Sequence, residues 1–148
     1  MRLLLQRVTH AKVRVDGRAV GAMGPGLMVL VGVGPQDNEG TCRQMAEKVV
    51  GLRIFRDEQG LTNLALGETG GGVLAVSQFT LYADTSRGRR PSFIRAAPPA
   101  LAESLYDAFC LELERRGIRV ARGVFGAEMR VELENDGPMT IWLDSEGT

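Results

Sequence analysis

A single histidine, His10, stands in a chain of 148 residues, and that scarcity removes most familiar catalytic arrangements. A Ser-His-Asp relay would depend on His10 alone, and no Gly-x-Ser-x-Gly elbow is present to carry the serine. Cys42 and Cys110 are the only cysteines, too few beside one histidine for a standard zinc cluster. The glycine-rich GAMGPG has the look of a phosphate loop, but Pro25 removes a donor and no Lys-Ser/Thr pair follows. No metal and no cofactor is therefore expected. Basic and acidic residues number 18 each, so a nucleic-acid partner would require a local basic patch rather than a basic chain. No apolar run approaches a membrane span, and MRLLLQRVTH lacks the cleavage pattern of a signal peptide. The expectation is a cytoplasmic protein without membrane association, its two thiols reduced and buried. An enzyme made from this chain has to work without the usual histidine acid–base pair.

What is present reads as one domain over 1–148, long enough to enclose a real core. Val13 and Val15 alternate with Lys12 and Arg14, and Asp16-Gly17 supplies a hairpin turn. Gly26 to Gly34 is a continuous apolar run, the pattern of a buried strand. Asp37 or Asn38 can cap a helix through GTCRQMAEKVVGL, with Met45, Val49 and Leu52 on its inner face. RIFRDEQG resembles a short strand ending in a turn, and Gly71 to Ala83 is the most strand-like segment of all. Pro98 and Pro99 open a second helix striped by Leu101, Leu105, Phe109 and Leu113, with Gly117 at its stop. Three short strands, IRVARGVFG, MRVELEN and MTIWLD, close the chain. Hairpins outnumber helical crossovers, so the expected class is α/β with a mostly antiparallel sheet.

The stretch NDGPMT, Asn135 to Thr140, lies between two apolar runs where spacing predicts a hairpin turn. Pro138 directly after Gly137 fits that turn poorly, because proline donates no ladder hydrogen bond. Upstream, Ser77, Gln78, Phe79 and Thr80 are expected on a strand. There Ser77 and Phe79 would share one face, Gln78 and Thr80 the other.

SQFTLYAD at Ser77–Asp84 and NDGPMT resemble the two signature segments of the D-aminoacyl-tRNA deacylase family. MRLLLQRVTHAKVRVDG, GLMVLVGVG, GRRPSF and GVFGAEMRVELENDGP follow in the family's order, so the resemblance spans essentially the whole chain. It implies a barrel-like β core with two main helices, assembled as a homodimer with active sites at the subunit interface. It implies an aminoacyl-tRNA substrate, read at the 3′-terminal adenosine. The ester of a D-amino acid or of glycine, including glycine mischarged onto tRNA(Ala), would be hydrolysed, and L-aminoacyl esters spared. The bond matching Gly137–Pro138 is implied to be cis and to project into the partner's pocket. There it would exclude an L side chain sterically and leave glycine untouched.

The resemblance implies catalytic roles for Ser77, Gln78, Phe79 and Thr80, with the N–H groups of Phe79 and Thr80 as oxyanion donors. Phe125 and Met129 match positions that shape the adenine site, and Arg7 is assigned to hold the Gly137–Pro138 loop. Arg87, Arg89 and Arg90 would contact phosphates, although the family often carries Asn where this chain has Arg89. Two other readings stay open. Thr80 could be the nucleophile of an esterase or amidase, or the chain could be a tRNA-binding dimer without catalysis. Thr80 has no evident base beside it in the sequence, which favours catalysis assisted by the 2′-OH of the terminal ribose.

Overall fold

A computed structural model describes residues 1–147. β1 (Arg2–Val15), 14 residues long, has partners on both edges. On one edge it pairs antiparallel first with β3 (Gly26–Gly32), then with β2 (Arg18–Met23). The β1–β2 turn is Asp16-Gly17, with φ of 50° and 76°, the left-handed pair that a tight hairpin of this twist requires. β6 (Gly72–Ser77) joins β3 in parallel, and β7 (Val120–Arg122) joins β6 in parallel. The sheet is thus mixed, with antiparallel pairing around β1 and parallel pairing beyond β3.

β7 then comes back against β2, and the sheet nearly closes on itself. At this seam the chain uses Gly21, where a Cβ would collide with the carbonyl oxygen of Arg122. Near-closure explains the unbroken apolar reading of β3 and β6: both of their faces are covered. Leu27, Val29, Val31, Val73 and Ala75 face the helices, while Met28, Leu74 and Val76 fill the barrel interior with Val8, Ala11 and Val13. Each Val, Leu or Met among them contributes about 1.5–3 kcal/mol relative to exposure.

The helical layer lies outside the barrel. α1 (Glu39–Gly51) is capped by Asn38, whose Oδ1 accepts from Thr41 N at 3.1 Å while its own N–H donates to Thr41 Oγ1 at 3.2 Å. Asp37, the other candidate cap, instead accepts from Gly34 N at 2.6 Å and pairs with the Met1 ammonium at 2.5 Å. Met45 and Val49 of α1 are buried as its periodicity predicts, and Leu52 is half-buried at the C-cap. α3 (Pro99–Arg115) buries Leu105, Phe109 and Leu113, with Leu101 half-buried, and ends before Gly117 at φ 81°. Between α1 and β6 lie the small antiparallel pair β4 (Phe55–Arg56) and β5 (Thr62–Leu64), and the single turn α2 (Leu66–Thr69). Among the described residues, no helix is long and apolar enough to cross a membrane.

Two expectations need correction. The strand through Gly71–Ala83 stops at Ser77, and Phe79–Tyr82 forms a 3-10 turn instead. Leu81 and Tyr82 fold back over Gly32, where an added Cβ would come within 3.0 Å of Leu81 Cβ, and Arg2 Nη1 donates to Leu81 O at 3.0 Å. Tertiary packing over a glycine thus overrides strand propensity. The second correction concerns NDGPMT, which is no hairpin turn. β8 (Arg130–Asp144) is a single strand antiparallel to β1, with Val8 opposite Asn135 and Gln6 opposite Thr140. Between those pairs β1 advances two residues and β8 five, so the Gly-Pro segment is extruded from the ladder as a wide bulge.

The seam yields a stability test. Gly21→Ala should destabilise by about 1–3 kcal/mol through overpacking. Gly24→Ala, where a Cβ meets nothing within 4 Å, should stay within about 0.5 kcal/mol. Urea midpoints would check this, and equal midpoints would mean the barrel does not close at Gly21.

Candidate active site

Where β3 and β6 end, the chain leaves a cleft of about 700 Å³. Its floor is apolar, supplied by Val31, Val33, Val76 and Ala97, with Ala102 and Tyr106 from the start of α3. Ser77, Gln78 and Phe79 stand along one side, and Phe125 and Met129, from the segment between β7 and β8, stand along another. Five of the catalytic and pocket residues named from the sequence, Ser77, Gln78, Phe79, Phe125 and Met129, thus line one cavity. Of the residues that line it, Tyr106 alone carries a titratable side chain, and burial pushes that phenol upward. Tyr106 OH donates to Ala75 O at 2.8 Å, so it serves the core.

The local backbone suits an acceptor better than an acid or base. Gln78 N makes the last sheet bond, to Val31 O at 2.7 Å, and the chain then turns helical. Phe79 and Thr80 open that turn, and the first N–H groups of a helical turn have no acceptor within it. A continued strand would have committed alternate N–H groups to a ladder. Gln78 Nε2 donates to Thr80 Oγ1, which fixes the amide and the hydroxyl relative to each other. Thr80 is half-buried beside the turn but does not line the cleft itself.

The other nucleophile candidates lie elsewhere. His10 is exposed on β1, its Nδ1 3.2 Å from Thr9 Oγ1, opposite Glu134. Cys42 and Cys110 are free and buried between the helices and the sheet. Burial is the main cause that pushes Cys42 up to about 12 and Cys110 up to about 11.

Arg7, Gly137 and Pro138 form a separate cluster. Neither loop residue lines the cleft. Arg7 sits four residues along β1 from Leu3, the partner of Val31, which is about 13 Å at strand rise. The Gly137–Pro138 peptide bond is cis, Gly137 has φ 127°, and both residues are exposed. Beneath them Arg7 is only 4% exposed, which demands partners for its charge. Its Nη1 donates to Ile54 O at 2.6 Å, its Nε to Asp136 O at 3.1 Å, and Nε lies 3.3 Å from Asp136 Oδ2. Asn135 Nδ2 closes the base of the bulge by donating to Arg7 O at 2.9 Å and Met139 O at 3.0 Å. Any Cβ at Gly137 would strike the Arg7 guanidinium, so the loop is seated directly on it.

Sequence reasoning missed Arg56. Its Nη1 lies 3.1 Å from both Asp136 carboxylate oxygens, so the loop is held from the β4 side as well as from β1. No local pattern marks a lone arginine on a two-residue strand; its role exists only through the fold.

A sequence profile of the D-Tyr-tRNA(Tyr) deacylase family matches residues 4–144. A D-aminoacyl-tRNA deacylase of Roseiflexus castenholzii is 57% identical over 145 residues, covering 98% of this chain and 92% of that protein. Another, of Deinococcus radiodurans, is 54% identical over 144 residues, covering 97% and 99%. Among solved structures, a c-Myc DNA unwinding element binding protein superposes with a TM-score of 0.91 at 38% identity, covering 97% and 98%. A probable eukaryotic D-amino acid tRNA deacylase shares the fold, with a TM-score of 0.84 at 21% identity, covering 96% and 97%.

Two tests follow from this geometry. Arg7→Met should cost about 2–4 kcal/mol, because it strips buried carbonyls of a charged donor. Arg56→Met, at a half-exposed pair, should cost less than about 1 kcal/mol; equal costs in urea unfolding would refute anchoring from beneath. With thiolates suppressed by burial, a disulfide reagent at about pH 8 should label neither cysteine until the protein unfolds. Immediate labelling of either would contradict their placement.

Proposed function

The chain belongs to the D-Tyr-tRNA(Tyr) deacylase family, a family of hydrolases, and we propose that it cleaves D-aminoacyl-tRNA by placing the ester against backbone donors rather than by acid–base side chains. One observation carries this reading: a cleft of about 700 Å³ whose wall includes Phe79, the first residue of the 3-10 turn, and whose lining holds no carboxylate, imidazole or amine. In the proposed pose the terminal adenosine lies in the cleft with its base against Phe125 and Met129. The ester carbonyl then faces the N–H groups of Phe79 and Thr80, which stabilise the oxyanion as water adds. The vicinal 2′-OH of the ribose relays the proton, since the protein supplies no base to do so. An aminoacyl ester is already activated, so placement is the main requirement.

Ser77 and Gln78 orient the substrate in this scheme, and Thr80 positions Gln78. The Thr80 nucleophile is disfavoured because Gln78 Nε2 donates to its hydroxyl and no base stands beside it. Selection against L-amino acids falls to Gly137 and Pro138. They lie outside the cleft of their own chain, on an exposed bulge supported by Arg7 and Arg56. A second copy of the chain can bring that bulge to the cleft, so the working unit we propose is a homodimer with active sites at the interface. Once the ester and the α-ammonium are fixed, an L side chain points into this rigid backbone and a D side chain points away. Glycine passes because it has nothing to exclude, which extends the substrate range to Gly-tRNA(Ala). Such an enzyme acts where translation occurs, in the cytoplasm. Arg87, Arg89 and Arg90 are exposed and have no carboxylate partner among the described residues, leaving them available to tRNA phosphates.

Parallel deacylation of D-Tyr-tRNA, L-Tyr-tRNA and Gly-tRNA(Ala), with a 2′-deoxyadenosine-terminated D-Tyr-tRNA beside them, tests the scheme. Loss of the D and glycyl esters alone, abolished on the deoxy substrate, is the expected outcome. Cleavage of the deoxy substrate at an undiminished rate would overturn the 2′-OH relay. Cleavage of the L ester at a comparable rate would overturn the steric filter. Folded dimer that binds tRNA and cleaves nothing would leave only the non-catalytic reading.

A further inference from the structure

Three large apolar side chains are displayed to solvent at the mouth of the cleft: Phe79 at 56%, Phe93 at 37% and Ile94 at 88% exposure. The two rings meet edge to face, with centroids 5.0 Å apart and planes at 77°. Their backbone is held in place. Asp84 and Ser92 exchange two hydrogen bonds, 2.8 and 2.9 Å, and so close the loop that carries Arg87, Arg89 and Arg90. Directly after that clamp, Ala96 N donates to Phe93 O at 3.0 Å and Ala97 N donates to Val33 O at 2.9 Å, fastening the segment to the residue that follows β3. A rigid, exposed apolar step is costly to leave in water, and it marks a contact surface.

We infer that Phe79, Phe93 and Ile94 form a stacking platform for the nucleobase immediately 5′ of the terminal adenosine. This rests on the proposed reading of the cleft as the adenosine and ester site. If the terminal nucleoside occupies the cleft, the preceding nucleotide has to leave over its rim. The rim offers one exposed ring, a second ring set against it and a fully displayed isoleucine. Single-stranded nucleic acid is held by this combination, flat apolar surface for bases with cations along the backbone, and it tolerates any base because every base has a π-face. The cations are present: Arg87, Arg89, Arg90 and Arg95 all belong to the same exposed stretch, flanking the clamp. A protein partner would have to accommodate these positive charges too, whereas a polynucleotide supplies the complementary phosphates. The platform makes the enzyme responsive to a strand rather than to a lone aminoacyl nucleoside, without reading its sequence.

The test uses the full chain and short esters. D-tyrosyl-5′-CCA-3′ is compared with the same trinucleotide carrying an abasic residue before the adenosine. Both keep the same phosphates, so electrostatics cancel and the difference reports stacking. The platform predicts about a tenfold lower kcat/KM for the abasic ester, carried mainly by KM. In Phe93→Ala/Ile94→Ala the two esters should be cleaved with equal kcat/KM. Equal kcat/KM on the two esters by the wild-type protein would overturn the platform while leaving the proposed deacylation intact. Failure to cleave either ester or D-Tyr-tRNA would instead refute the proposed function. As a check on the alternative occupant, Ile94→Asp should leave the mass in solution unchanged. A shift from dimer to monomer would assign the patch to a second copy and overturn the inference.

Discussion

Hydrogen bonding along both edges of β1 is the constraint on which the rest depends. One edge fixes β3, and through β3 the parallel strands β6 and β7, so the position of Ser77 and of the cleft is set from Leu3 and its neighbours. The other edge fixes β8 along nearly its whole length and leaves only the extruded Gly-Pro bulge unpaired. The same strand carries Arg7 between these two features. Cleft and bulge are therefore held in a constant relation by one ladder, although neither touches the other in a single chain.

The bulge is stabilised in an unusual direction, from inside. A buried guanidinium needs several acceptors, and Arg7 obtains them from carbonyls of two segments far apart in sequence, Ile54 and Asp136. Asp136 then recruits Arg56 from the solvent side. The loop thus sits between a dry cation beneath and a wet one beside it. Such support gives the exposed backbone of Gly137 and Pro138 a fixed shape, which is what a steric filter of the kind proposed requires. A flexible loop would yield to an L side chain instead of rejecting it.

The cleft follows the opposite logic. Its surface is mostly hydrocarbon, with Ser77 and Gln78 as polar side chains on its wall and Gln78 Nε2 tied to Thr80 Oγ1 beside it. Fixed dipoles in a dry site gain strength from the low dielectric and need no reorganisation as charge develops. That fits a chain whose single histidine is exposed on β1, outside the cleft lining, and whose thiols are sealed between the helices and the sheet.

Much of this was legible in the residues. The Asp16-Gly17 turn, the Pro-initiated and Gly-terminated α3 and the apolar faces of both helices depend on interactions within a few residues, so local sequence determined them, while the α1 cap was narrowed to Asp37 or Asn38. The family resemblance also located Ser77, Gln78, Phe79, Phe125 and Met129, which line one cleft. Two elements were misread for one physical reason. Whether SQFT continues as a strand depends on Leu81 and Tyr82 packing over Gly32, more than forty residues earlier, and on Arg2 reaching Leu81. Whether NDGPMT reverses the chain depends on whether the strand after it pairs with the strand before it or with β1. Local propensity is the same in either case, because turn residues suit a bulge as well as a hairpin. The sequence by itself determined which segments could turn, cap and bury. The tertiary structure alone decided which edge each strand would take, and with it the orphan N–H groups, the extruded Gly-Pro and the part played by Arg56, since hydrogen-bond partners distant in sequence are chosen only when the sheet closes.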